Sequence, residues 1–88
     1  MIKINKLQMT CGACPTQFSG ETEDGKNVYI RFRFGRLSMD IDGQILFSGN
    51  VSDSLDGVIS YEGIQKALAH LSIQWPANYS DERDKNYE

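Results

Sequence analysis

Val28, Ile30, Phe32 and Phe34 take every second position of one run, with Tyr29, Arg31 and Arg33 between them. An apolar period of two matches a strand whose successive side chains point to opposite faces of a sheet. It excludes a helix there, because a helical face repeats every three to four residues. The run demands an apolar layer on one side and sets an aromatic ring and two guanidinium groups on the other. Its neighbours follow the same rule. Leu37, Met39 and Ile41 alternate with Ser38, Asp40 and Asp42, and Asp42-Gly43 is a hairpin dipeptide leading into Gln44-Ile45-Leu46-Phe47. Upstream, Gln17–Thr22 reads as a strand closed by the turn signal Asp24-Gly25. Ile2 and Ile4, then Leu7 and Met9, alternate out of phase with each other, so an opening strand with a bulge or bend near Lys6 is expected.

After Gly49-Asn50 the alternation stops, and the polar stretch Ser52–Gly57 reads as a loop. Ser60 is placed to cap a helix, with Ile59 before it and Ile64 after it as a hydrophobic staple and Glu62 in the first turn. Tyr61, Ile64, Leu68 and Leu71, with Ala67, form the stripe that would pack on the sheet, and Pro76 prevents the helix from continuing. Ile73 and Trp75 are then free to fold back on the core. The expected fold is α+β, an antiparallel meander of four to five strands with one C-terminal helix on one face. Residues 1–79 form the single domain, and residues 80–88 form a charged tail without apolar pattern.

Eighty-eight residues allow one domain, and 40% apolar with 24% charged residues is ordinary globular composition. A domain this small buries only about 60% of its unfolded surface, which favours help from a partner or from homo-oligomerisation. No apolar run is long enough for a membrane span, and Met1-Ile2-Lys3-Ile4-Asn5 lacks the apolar core of a secretory signal, so the reading is cytoplasmic with no membrane partner. The formal charge of −3 argues against a general nucleic-acid binder. It is unevenly spread: residues 1–36 carry +3 and residues 37–88 carry −6. Without residues 80–88 the remainder carries −1, so a local cationic face is compatible with the total.

Two groups of side chains have the composition of sites. Cys11-Gly12-Ala13-Cys14 is spaced to share a metal or close a redox disulfide. Pro15 and the strand-like run after it do not supply the helix that activates a redox thiol. A structural zinc would need ligands beyond Cys11 and Cys14, from His70, a carboxylate or a second copy; the alternative reading is two small packed thiols at a turn. The second group is Tyr29, Arg31 and Arg33, with Arg36 just past the turn. On one strand face the first three stand about 7 Å apart in a row, able to stack a base, clamp a phosphate or pair with acidic protein side chains. The competing reading is a solvated face balanced by Glu21, Glu23, Asp40 and Asp42. Asp53–Glu62 resembles half of a calcium loop, but with Gly57 as the turn glycine the bidentate position falls on Gly63. His70 is the sole histidine and fits no nucleophile motif, and Asp40/Asp42 merely flank a turn, so no enzyme and no cofactor are expected.

Cys14-Pro15-Thr16-Gln17, Gly20, Thr22, Asp24-Gly25, Tyr29–Gly35, Leu55-Asp56-Gly57 and Trp75-Pro76 together resemble a group of small uncharacterised proteins encoded by bacteriophages and prophages. The resemblance implies a viral accessory factor in the host cytoplasm. It brings no functional residues with it. The resulting expectation is a non-enzymatic protein that binds and inhibits a host protein, such as an anti-CRISPR-like antagonist of antiviral defence. Tyr29, Arg31, Arg33 and Arg36 would be its contact residues, with the acidic half and tail, as a nucleic-acid mimic, the competing contact surface. The alternatives are an oligomeric binder that sequesters a signalling nucleotide through the same groups, and a small zinc-stabilised module on Cys11 and Cys14.

Overall fold

Five successive antiparallel strands follow from the alternating segments in a computed structural model, which describes residues 1–12, 16–51 and 59–81. They are β1 (Ile2–Gly12), β2 (Thr16–Thr22), β3 (Asn27–Arg33), β4 (Arg36–Ile41) and β5 (Gln44–Asn50), followed by helix α1 (Tyr61–Ala67) and the two-residue strands β6 (Ile73–Gln74) and β7 (Ser80–Asp81). The sheet order is β5-β4-β3-β2-β1-β6, and β7 also pairs with β1. The α+β class is as expected. The plain meander of four to five strands is not the whole sheet: β6 and β7 both run parallel to β1, so the sheet is mixed.

That correction has a physical cause. The β1 edge opposite β2 would otherwise present open amide and carbonyl groups, and returning chain covers it. Ile2 N donates to Ser72 O at 2.8 Å, Ile2 and Lys3 pair with Ile73 and Gln74, and Gln8 and Met9 pair with Ser80 and Asp81. Ser80 and Asp81, read from sequence as the start of the tail, therefore belong to the sheet. Residues 82–88 lie outside the described residues.

The register sorts side chains into two faces. On the inner face Met9, Phe18, Ile30, Met39 and Phe47 form one row across five strands. Ile64 and Leu68 pack into the same core and are fully buried, as are Phe18, Ile30, Leu37 and Met39. β1 keeps Ile4, Leu7 and Met9 all inward because its register slips between Ile4 and Lys6, the bulge that the phase change near Lys6 predicts. A second slip between Met9 and Cys11 turns Cys11 to the face of its partner Gln17.

One inward assignment fails. Phe34 is 56% exposed, because β3 ends at Arg33 and Phe34 is the first corner of a two-residue turn, with φ of 53° followed by 78° at Gly35. That pair of positive values is the type I′ hairpin, matched at Asp42-Gly43 with 52° and 83°. The helix is also shorter than its apolar stripe. The Ser60 hydroxyl accepts from Gly63 N as predicted, but α1 stops at Ala67, with Leu68 as C-cap and Leu71 N donating to Leu68 O. Leu71 thus lies beyond the helix, on the turn that delivers Ile73 to β1. Trp75 and Tyr79 pack edge-on to Tyr61, whose hydroxyl donates to Pro76 O at 2.6 Å.

Candidate functional site

Directly opposed residues in an antiparallel pair share a face. Cys11, Gln17, Arg31, Ser38 and Ser48 accordingly form one row across the outer face. Gln8, Ser19, Tyr29, Asp40 and Ile45 form the next, and Arg33, Arg36 and Asn50 lie opposite one another at the end of the sheet. The one helix among the described residues is on the inner side, so this face is not covered by it. Tyr29, Arg33, Arg36, Ile45 and Ser48 are exposed, and Arg31 and Asp40 are half-buried.

Three of the four predicted contact residues meet in one place. Arg31, Arg33 and Arg36 line an open hollow of about 610 Å³ together with Phe34. Ile45, Ser38, Ser48 and Asn50 complete the wall, and no carboxylate of the described residues lines it. Tyr29 does not: it stands one row away, opposite Asp40, and is 37% exposed. Arg36 Nη2 donates to Ser48 Oγ at 3.0 Å, which fixes that guanidinium against β5. The Arg33 guanidinium lies 4.8 Å from the centroid of the Phe34 ring, a cation–π contact. Arg31 Nε is enclosed with no hydrogen-bond partner among the described residues, as is Asp40 Oδ1. The ion pairs among the described residues join lysines to carboxylates, Lys3 to Glu23, Lys26 to Asp24 and Lys66 to Glu62, and none neutralises an arginine.

Arg33 and Arg36 are also directly opposite in register, an arrangement that costs stability between like charges. Phe34 adds to that cost, since a left-handed backbone costs a non-glycine residue about 1–2 kcal/mol. Phe34, Ile45, Ser48 and Asn50 were not legible as site residues. Phe34 continues the inward alternation by count, and only the two-residue spacing left between Arg33 and Arg36 reveals it as a turn corner.

A second hollow of the same volume is chemically different. Lys3 and Lys26 line it, but so do Glu23, Asp24 and Asp42, with Met1 and Ile2 at its rim. Its charges are engaged locally: the Thr22 hydroxyl donates to Asp24, and Asp42 Oδ1 accepts from Asn27 N at 2.8 Å. Hydrogen bonding from Thr22, then from its own amide and Lys26, holds the Asp24 carboxyl below its ordinary value of 3.8.

Among the described residues no group of three or more His, Cys, Asp or Glu is placed to hold a metal. Cys11 is half-buried on the outer face, and Cys14 lies outside the described residues. His70 packs on Phe47, an inner-face residue of β5, so it does not approach Cys11 on β1 as a third ligand. The Asp53–Gly57 part of the calcium-like segment also lies outside the described residues. No helix of the described residues is long and apolar enough to cross a membrane. No protein-family model, curated protein or solved structure matches this chain.

Proposed function

We propose that this protein is a non-enzymatic binding protein that works through the outer face of its sheet, as a phage-type accessory factor that occupies and inhibits a host component in the cytoplasm. The observation that carries this reading is the convergence of Arg31, Arg33 and Arg36 on a hollow that no carboxylate of the described residues lines. Charges that the described residues leave unneutralised are available to a partner, and arginine with neighbouring aromatics is the composition of energetic interface centres. A host protein presenting acidic side chains is complementary to the face as a whole, with Tyr29 and Ile45 as apolar contacts beside the arginines.

Comparative affinity capture from bacterial lysate tests it. The tagged full chain is expected to retain a specific partner that is lost on charge reversal, Arg31→Glu with Arg33→Glu and Arg36→Glu, and kept by Lys26→Glu. A partner indifferent to the arginine changes, or no partner at all, overturns the reading.

A further inference from the structure

We propose that the hollow between β3, β4 and β5 binds a small ligand carrying a phosphate group and a planar ring, with the phosphate on Arg33 and Arg36 and the ring beside Phe34. The inference rests on the outer face being the working surface and adds a small ligand that the hollow in that face takes beside the protein partner. Two observations and the chemistry of the guanidinium group converge on phosphate. Arg33 and Arg36 are opposed in register with no carboxylate of the described residues lining the hollow beside them, so a doubly charged anion placed there turns a repulsive pair into a clamp. The guanidinium fork matches phosphate oxygens two at a time. Arg36 is already held by Ser48 through one terminal nitrogen, which orients the group before a ligand arrives.

The ring is argued from Phe34. Its backbone is left-handed, its side chain is 56% exposed, and Arg33 stands over the ring, so the same turn presents a cation and an aromatic surface together. Ile45, 68% exposed, supplies apolar surface on the β5 side of the hollow. Scale then limits the ligand. About 610 Å³ falls among small-molecule sites, roughly 300–1,000 Å³. The formal charge of −3 opposes the long-range approach of a polyanion, while leaving a local clamp for a single phosphate group. The hollow at Lys3 and Lys26 offers no such selection, because Glu23, Asp24 and Asp42 share it.

Calorimetric titration of the full chain at low ionic strength tests the assignment with adenosine 5′-monophosphate, uridine 5′-monophosphate, adenosine, inorganic phosphate and citrate. Both nucleotides are expected to bind at least about tenfold more tightly than phosphate, adenosine or citrate. Arg33→Gln and Arg36→Gln, each confirmed folded by circular dichroism, should weaken nucleotide binding about tenfold or more. Phe34→Ala should erase the advantage of nucleotide over phosphate while leaving phosphate binding within about twofold. Lys26→Gln should change nothing. Failure of both nucleotides to bind at millimolar concentration, wild-type affinity in the arginine variants, or citrate binding as tightly as nucleotide would each overturn the proposal. If it falls while charge reversal of the three arginines still abolishes partner capture, the ligand assignment alone is wrong and the face takes the protein partner without a nucleotide in its hollow. If capture is also indifferent to those charges, the outer-face reading falls with it.

Discussion

Phe32 and Phe34 lie two positions apart in one strand-like run and do opposite things. Phe32 is buried in the core, and Phe34 stands at a turn corner in a left-handed conformation. Phe32→Ala is therefore expected to cost about 3–5 kcal/mol in denaturant unfolding. Phe34→Gly should leave stability within about 1 kcal/mol, since glycine removes the backbone cost while the cation–π contact with Arg33 is lost. Comparable losses in the two variants would mean that Phe34 is a core residue after all. Asp24 supplies a pH dependence at the same scale. Its carboxyl titrates lower in the folded chain than its ordinary 3.8, chiefly through the Thr22 hydroxyl, so its stabilising contribution is present above that value and is lost as pH falls through the lower folded one. Asp24→Asn should flatten the decline in melting temperature between about pH 5 and pH 2, measured against wild type. An unchanged decline would show that this carboxylate is not preferentially stabilised on folding.

Strand segments were legible because alternation is a direct image of a half-buried sheet, as in Val28-Ile30-Phe32 and Leu37-Met39-Ile41. The bulge in β1 was legible for the same reason, as a break in phase. What local pattern does not encode is the partner of an edge. β6 and β7 are two residues each, and only their pairing with β1 makes them strands. The same pairing explains why α1 ends at Ala67 despite an apolar stripe that runs on to Leu71: the chain must leave the helix to bring Ile73 against Ile2. Gly20 marks how closely β1 approaches β2 beside the bulge, because a Cβ there would lie 2.1 Å from Lys6 O. Backbone on both sides leaves no soft contact to yield, so Gly20→Ala is expected to destabilise by about 1–3 kcal/mol or to prevent folding. Ser60→Ala should cost about 1 kcal/mol through loss of its bond to Gly63 N, read as a melting point lower by about 4–8 °C. A neutral outcome for Gly20→Ala would contradict the register of the β1–β2 pair.

Across the molecule, one sheet has two faces with separate tasks. The inner face, closed by Ile64 and Leu68, holds the fold together. The outer face carries arginines that no carboxylate of the described chain neutralises, beside an exposed aromatic turn. Arg31 and Arg33 could be picked out from sequence because period two fixes which residues share a side, and Arg36 because it follows them directly across the turn. Their meeting with Phe34, Ile45 and Ser48 could not, because it depends on the β3–β4–β5 register and on two tight turns. The formal charge of −3 argues against a general nucleic-acid binder, and it describes the sum and not this face. The most direct test of the account is to follow backbone amide resonances of the full chain while adenosine 5′-monophosphate is added. Shifts centred on Arg33, Phe34, Arg36, Ser38 and Ser48 are expected. Shifts centred instead on Lys3, Asp24 and Lys26 at the other hollow, or no shifts at saturating nucleotide, would contradict it.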